Sequence, residues 1–163
     1  MNKTVTRSGY DDLLRRDFAC FARRAFSELN PQTPFLLGWH FEIIAAKLAA
    51  LFEGRIRRLI INLPPRHLKS HLASVSFPAW CLGRKPSAQI LCVSYAQELA
   101  DKLSRDCRRI VASDWYRLIF PTRLSPSGGA RVRYDRAGMP DRHLGRRRAD
   151  RAGCRHHHHR RPA

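Results

Sequence analysis

Residues 60–71 read Ile60-Ile-Asn-Leu-Pro-Pro-Arg-His-Leu-Lys-Ser-His71, and this stretch decides which fold the sequence predicts. The β-branched run at residues 58–63 suits a buried strand, and the two prolines after it force a turn. A helix is predicted from Lys69 to about Leu82, and Pro78 is expected to kink or end it. The stretch therefore predicts a strand, a tight turn and a helix in immediate succession.

Further helices and a second strand are predicted on both sides of this stretch. Apolar residues recur at helical spacing over residues 11–29 and 36–53, and Gly54 is expected to stop the second of these helices. Residues 89–95 suit another buried strand, and residues 96–112 a helix. Alternating strands and helices predict an α/β fold in which the two strands are adjacent and parallel.

The strand–turn–helix order is also the layout of a P-loop. In a P-loop, backbone N–H groups of the turn and of the helix N-terminus point at phosphates. The consensus is G-x-x-x-x-G-K-[ST], and Leu63 and Leu68 stand at its two glycine positions. A left-handed conformation at Leu68 would cost about 1–2 kcal/mol. From the pattern alone, an ordinary strand–turn–helix without a ligand remains the alternative.

The string LIINLPPRHLKS at residues 59–70 resembles the variant P-loop of the large subunit of phage terminases, the DNA-packaging ATPases. The flanks resemble the same family. Trp39-His40 is similar to an upstream segment near the adenine side of the nucleotide, and residues 73–80 and 92–97 are similar to the next helix and strand. The resemblance covers roughly residues 36–126. It implies an incomplete P-loop NTPase parallel sheet, preceded by N-terminal helices.

The resemblance implies a site for ATP and Mg²⁺. Lys69 would contact the β- and γ-phosphates, and Ser70 would ligate Mg²⁺ held by the nucleotide. Arg66 would sense the γ-phosphate and, with Lys69, act in catalysis; alternatively it is a plain phosphate-facing or solvent-facing arginine. Trp39 and His40 would lie at the base. The residues expected to bind the nucleotide through the turn are Pro64, Pro65, Arg66, His67, Leu68, Lys69 and Ser70.

Composition points to a polyanionic partner. The 163 residues carry a formal net charge of +18, which favours nucleic acid, and 44% are hydrophobic, which suits a folded core. Residues 125–163 contain 11 Arg, no Lys and five of the eight His. This break predicts a disordered, Arg- and His-rich tail at residues 125–163. For the rest of the chain, the resemblance implies a helical segment at residues 1–34 and a partial P-loop ATPase domain at 35–124.

An acidic motif expected of such an ATPase is missing from the sequence. No apolar strand ends in Asp-Glu or Asp-Asp, the pair that would hold Mg²⁺ and polarise the attacking water. Read one base later from a point between Ser125 and Val132, the codons of the tail permit ATSVGGVLTGRGADIIIIDDP, which resembles the terminase segment leading into this motif. The tail is therefore expected to be out of frame, without a fold or a metal site, and the chain to be an inactive N-terminal fragment.

Two function classes remain open on the sequence. In the first, intact relatives package double-stranded DNA into procapsids together with a small terminase subunit and a portal, and form an oligomer only when complete. In the second, the chain is a small, basic, non-enzymatic nucleic-acid-binding protein. Five cysteines without CxxC spacing favour a reducing compartment, and neither a signal peptide nor a membrane span is predicted. A bacterial cytoplasmic, prophage-encoded protein is expected.

Overall fold

The computed structural model describes residues 7–120 and the strand at 131–136. Most of the described residues are helical. In chain order the elements are α1 (Arg7–Arg16), α2 (Phe18–Leu29), α3 (Trp39–Phe52), a π-helical turn (His71–Ser76) that continues into α4 (Phe77–Arg84), β1 (Gln89–Ser94), α5 (Gln97–Ala112), α6 (Asp114–Ile119) and β2 (Arg131–Arg136).

The helix predicted over residues 11–29 is two helices, α1 and α2, that meet at Asp17. Asp17 has extended backbone angles, φ −103° and ψ 113°, and its side chain accepts a hydrogen bond from the backbone N–H of Cys20 at 2.8 Å. An aspartate that caps a helix in this way offers the backbone an alternative to continuing the previous helix. The apolar periodicity survives the break because residues of both helices reach the same core, among them Leu14, Phe18 and Phe21.

Gly54 ends α3 as predicted. Its φ is +75°, and its N–H donates to the Leu51 carbonyl while the N–H of Arg55 donates to the Ala50 carbonyl. These two bonds form a Schellman motif, which satisfies carbonyls at the helix end. The chain therefore turns sharply at Gly54 and runs back along the molecule toward residues 64–70.

The helix predicted from Lys69 begins at that residue, and Pro78 does not end it. Proline lacks the N–H that an α-helix would pair four residues back, and its ring crowds the carbonyl there. The preceding residues form a π-helical turn, in which the N–H of Phe77 donates to the Leu72 carbonyl five residues earlier. This wider turn lies immediately before Pro78, and the helix continues as α4 to Arg84.

The predicted α/β fold, an incomplete P-loop parallel sheet, is wrong for the described residues. Residues 89–94 form β1 as expected, but residues 58–63 have no strand partner and are not a strand. The single sheet within the described ranges has two strands, and β1 pairs in parallel with β2, with Gln89 opposite Arg131 and Ser94 opposite Arg136. The predicted neighbour of β1 is thus replaced by a segment from the C-terminal part of the chain.

Residues 58–63 nevertheless keep the alternation of a strand. Leu59, Ile61 and Leu63 pack against the core, whereas Ile60 is 94% exposed. Every second side chain of the segment therefore contacts the core, but its backbone does not pair with any described strand. Its apolar pattern specifies which side faces inward, and without a neighbouring strand that pattern alone does not make a sheet.

The core lies between the helices and is rich in aromatic rings. Trp80 and Tyr116 are fully buried, and the Tyr116 hydroxyl donates to the Ala79 carbonyl at 2.9 Å. Phe18 packs against Trp80 with ring centroids 5.4 Å apart, and Phe21 lies 6.2 Å from Tyr116. Helices from both sides of residue 34 thus contribute to one cluster, which holds the start of the Lys69 helix in place.

The basic tail was predicted to lack structure, but its residues 131–136 form β2. The sequence Arg131-Val-Arg-Tyr-Asp-Arg136 alternates apolar and charged residues with the period of a strand, and its backbone pairs with β1 along six residues. The prediction that the tail has no fold missed this alternation. The other residues of the predicted tail, with Cys154 and the four consecutive histidines, lie outside the described residues.

Candidate phosphate-binding loop

The loop formed by residues 64–70, hereafter the 64–70 loop, contains two residues in the left-handed region. Arg66 has φ 67° and Leu68 has φ 58°, and within the described ranges they are the two non-glycine residues with positive φ. Each costs on the order of 1–2 kcal/mol relative to a right-handed residue. Leu68 stands at the second glycine position of the P-loop pattern, so the sequence places leucine where the backbone conformation favours glycine.

The backbone amides of the 64–70 loop have no acceptor among the described residues. The first helical hydrogen bond runs from the N–H of Leu72 to the Leu68 carbonyl at 2.9 Å. The N–H groups of residues 66–71 make no hydrogen bond to any atom of residues 7–120. Left-handed residues that interrupt a turn direct successive N–H groups toward a common concavity, which suits an anion.

The charged and hydroxyl side chains of the loop are exposed. Arg66, Lys69 and Ser70 all face solvent, and no carboxylate of residues 7–120 forms an ion pair with either cation. Lys69 and Ser70 form the first helical turn, where the positive end of the helix dipole favours an anion. Two cationic side chains and a helix N-terminus therefore belong to the same short segment, residues 66–71, as the free amides.

Trp39 and His40, which begin α3, lie beside the loop. The His40 ring is 5.4 Å from the His67 ring, and Trp39 lies 6.1 Å from His40. His67 is itself held by a contact of 2.9 Å between its Nδ1 atom and the Pro65 carbonyl, which requires the proton on Nδ1. The structure thus brings together the two sequence segments, residues 39–40 and 64–70, that were expected to form one site.

An open cleft of about 290 Å³ extends from Trp39 along α3. One wall is α3 and the other is residues 59–63 of the unpaired segment. Trp39 is 77% exposed and Ile60 94% exposed, and both line the cleft with Ile43 and Lys47. A flat apolar group could therefore lie against Trp39 while an attached polyanion reached the 64–70 loop.

His71 anchors the end of the loop, a role for which the sequence held no signal. Its Nε2 atom lies 3.3 Å from the Ala22 carbonyl on α2 and 3.0 Å from the hydroxyl of the fully buried Ser76. The carbonyl can only accept, so the proton is on Nε2. The Phe26 ring packs edge-on against the imidazole at 5.5 Å. Burial lowers the pKa of His71 from the usual 6.5, and this outweighs the hydrogen bond to Ala22, which raises it.

We expect this burial to make stability depend on pH. Because the pKa of His71 is lower in the folded state, the unfolded chain binds the proton more readily, and the free energy of unfolding should decrease as the pH falls below 6.5. Urea denaturation of wild type and His71→Gln at pH 7.5 and 5.5 measures the effect. The wild type should lose more stability on acidification than the variant. An equal loss in both proteins would contradict this account of His71.

Metal-ligand candidates near the loop are few. Among the described residues, no group of three or more His, Cys, Asp or Glu side chains could hold a metal ion. The Ser70 hydroxyl is an oxygen ligand of the type that Mg²⁺ accepts, and a nucleotide would have to supply further oxygens. The residues present therefore fit a metal that arrives with phosphates. They do not form a protein-only metal site.

Comparison of the chain with protein-family models, with curated proteins and with solved structures gave no match. No helix of the described part is long and apolar enough to cross a membrane.

Proposed function

We propose that the 64–70 loop binds the phosphates of ATP, with the adenine ring against Trp39 in the adjoining cleft. The observation that carries this proposal is the pair of left-handed residues, Arg66 and Leu68, directly before a helix that begins with Lys69-Ser70. Together the two residues cost on the order of 2–4 kcal/mol. Strain of this size persists where the surrounding structure enforces it, and it clusters at sites that bind or react.

Chemistry supports a polyphosphate rather than a carboxylate ligand. Free amides are available along residues 66–71, and the cations Arg66 and Lys69 flank them. A single carboxylate would use only a few of these donors, whereas a triphosphate presents many oxygens along one line. Lys69 would contact the β- and γ-phosphates, Arg66 the γ-phosphate, and Ser70 the accompanying Mg²⁺, whose chemistry is to neutralise charge on the phosphates.

Apolar surface supports a base at the other end of the ligand. Trp39 is more exposed than a tryptophan of a folded core. The neighbouring His40 contacts the His67 ring of the 64–70 loop, so the first turn of α3 lies beside that loop. Stacking on an exposed indole contributes about 1–3 kcal/mol per base by alanine substitution in nucleic-acid complexes. A nucleotide would therefore be held at both ends, by backbone amides at the phosphates and by a ring at the base.

We propose that the chain is related to the large subunit of phage terminases, whose intact relatives hydrolyse ATP to package DNA into procapsids. This proposal rests on the string at residues 59–70 and on the contact between the 64–70 loop and Trp39-His40. The relationship is proposed for the ligand and the function, and it does not require a P-loop sheet. Double-stranded DNA, a small terminase subunit and a portal are the proposed partners, and the bacterial cytoplasm is the proposed compartment.

Titration calorimetry with Mg·ATP, Mg·tripolyphosphate and adenosine tests the proposal. Mg·ATP should bind most tightly, tripolyphosphate should retain part of the affinity through the loop, and adenosine alone should bind weakly. Absence of heat with both phosphate ligands would reject the proposed site. A non-enzymatic, basic nucleic-acid-binding protein is the alternative, and it predicts that any ATP binding disappears with added salt and does not depend on the base.

A further inference from the structure

Two imidazole rings lie side by side where the first turn of α3 meets the 64–70 loop. The centroids of the His40 and His67 rings are 5.4 Å apart, and the ring planes are inclined at 65°. Both side chains are half-buried. The pair therefore joins two segments that are distant in the chain, and each ring carries a nitrogen that is able to bind a metal ion.

The His67 ring is held in a tautomer that leaves one nitrogen with a free lone pair. Its Nδ1 atom donates to the Pro65 carbonyl at 2.9 Å, so the lone pair is on Nε2. Within residues 7–120, Nε2 of His67 makes no hydrogen bond. A histidine that binds a metal through one nitrogen generally donates the other N–H to a carboxylate or a backbone carbonyl, which orients the ring and raises its basicity. His67 already has this arrangement.

The His40 ring lies over the backbone of Gly38. A Cβ atom at Gly38 would collide with Cε1 and Nδ1 of His40, whereas Nε2 of the ring is farther away, at 3.4 Å from that position. The missing side chain of Gly38 thus leaves the space that the imidazole occupies. Neither nitrogen of His40 makes a hydrogen bond within the described range 7–120. The more accessible nitrogen, Nε2, is therefore available to a ligand in both rings.

The spacing of the two rings suits a shared metal ion. Zn²⁺ binds an imidazole nitrogen at about 2.0–2.1 Å and prefers tetrahedral angles. Because a ring centroid lies roughly 1 Å behind its nitrogen, two imidazoles on one tetrahedral ion have centroids about 5 Å apart. The rings of His40 and His67 are already close to this separation. Rotation about χ2, which is a soft torsion in histidine, is enough to direct both Nε2 atoms at one ion.

We propose that His40 and His67 together bind one Zn²⁺ ion through their Nε2 atoms. Imidazole nitrogen is a ligand that Zn²⁺ accepts, whereas Mg²⁺ prefers oxygen, so this site differs in chemistry from the one proposed at Ser70. No third His, Cys, Asp or Glu of the described residues completes the site, which leaves two tetrahedral positions to water or an anion. The bound ion fastens the 64–70 loop to the first turn of α3. The proposal does not require that the loop binds ATP.

The cations of the 64–70 loop do not prevent zinc binding. Arg66 and Lys69 are exposed, and repulsion between charges that water and salt screen is weak. The same cations attract anions, and an anion beside them is able to occupy one of the remaining positions on the ion. A zinc ion at this place is therefore held by two neutral imidazoles and by small ligands from solution.

Titration calorimetry with ZnCl₂ in a buffer without phosphate tests the proposal. The four consecutive histidines at residues 156–159 would compete for zinc, so the background protein is the full chain with all four replaced by alanine. It should bind one Zn²⁺, and excess MgCl₂ should not displace the ion. His40→Ala and His67→Asn should each weaken zinc binding at least about 10-fold, since even a residue that only orients a metal ligand contributes about 10- to 100-fold. Asparagine keeps a donor near the position of Nδ1 but has no equivalent of Nε2.

Two further readouts make the result specific. His143→Ala removes another histidine from the same background and should leave zinc binding unchanged. Zinc should raise the unfolding temperature of the background protein but not that of His67→Asn, because a ligand stabilises the folded state to which it binds. In ¹H–¹³C spectra of the background protein, zinc should shift the imidazole Cε1–H signals of His40 and His67 and spare that of His71.

Three outcomes would overturn the proposal: no zinc binding by the background protein, equal binding by both single variants and the background, or shifts confined to other histidines. The result is separate from that for ATP. Zinc binding that depends on His40 and His67 in a protein that gives no heat with Mg·ATP would reject the nucleotide site and leave the zinc site in place.

Discussion

Replacing Lys69 with alanine is expected to weaken Mg·ATP binding roughly 10- to 100-fold, because a hydrogen bond to a charged group contributes about 1.5–3 kcal/mol. Lys69 begins the helix after the strained turn, and no carboxylate of residues 7–120 pairs with it. Its ammonium is therefore available to the phosphates. The side chain is exposed, so alanine should leave the core and the helix intact.

Lys85→Ala is the matched control for this substitution. It removes the same charge from an exposed position at the far end of α4, and it should leave the Mg·ATP dissociation constant within about twofold of wild type. Titration calorimetry or a fluorescent ATP analogue measures both constants. An equal affinity of Lys69→Ala and wild type would show that the loop does not hold the phosphates.

The purified protein is expected to hydrolyse ATP no faster than the Lys69→Ala variant. Enzymes that transfer phosphoryl groups turn over at about 1–100 per second, and we expect the rate of this protein to be at least three orders of magnitude lower. In the proposed complex, the 64–70 loop would position the triphosphate but would supply no group that polarises water. No apolar run in the sequence is followed by a pair of acidic residues. Groups that stabilise charge in the transition state account for most of the rate in such reactions.

A coupled phosphate-release assay on wild type and Lys69→Ala measures this rate, and the variant serves as the blank for contaminating ATPases. Turnover well above the blank that disappears in Lys69→Ala would contradict the expectation. Such a result would mean that a carboxylate among those present reaches the 64–70 loop, with Glu42 on the exposed face of α3 as the first to replace.

Local signals of the sequence predicted helices and their ends better than they predicted the sheet. Residues 96–112 carry apolar side chains on one face, and α5 forms over Gln97–Ala112 as expected. Gly54 ends α3 because glycine, which lacks a Cβ atom, adopts a positive φ without steric cost. The break at Asp17 was missed, since an aspartate within an apolar periodicity gives the same pattern whether it caps a helix or faces solvent.

Strand pairing was mispredicted because it depends on partners that are distant in the chain. Residues 58–63 have the composition of a strand and the alternating burial of one, but no described strand pairs with them. β1 pairs with residues 131–136. Most of these residues are charged, so the apolar Val132 and Tyr134 between them were not recognised as the pattern of a strand. Periodicity states which face of a segment is apolar, and it does not state which segment lies beside it.

The parts of the candidate site that depend on local sequence could be predicted, and the parts that depend on distant packing could not. The order of proline, lysine and serine predicted a turn before a helix, and the glycine position of the motif indicated where a left-handed residue would lie, which is Leu68. The resemblance alone implied that Trp39-His40 belongs to the same site as the loop, and the contact between the His40 and His67 rings was not predicted. The anchor formed by His71 on the Ala22 carbonyl depends on how α2 packs beside the loop, and no local pattern indicates it.

Amide chemical shifts report directly on the backbone N–H groups that are proposed to bind the phosphates. Uniformly ¹⁵N-labelled protein would be titrated with Mg·ATP and with Mg·tripolyphosphate, and ¹H–¹⁵N correlation spectra recorded. We expect the largest shifts with both ligands at residues 66–71, and a further shift of Trp39 only when the base is present. Shifts that spare residues 66–71, or that occur only at exposed arginines elsewhere and vanish with added salt, would contradict this expectation.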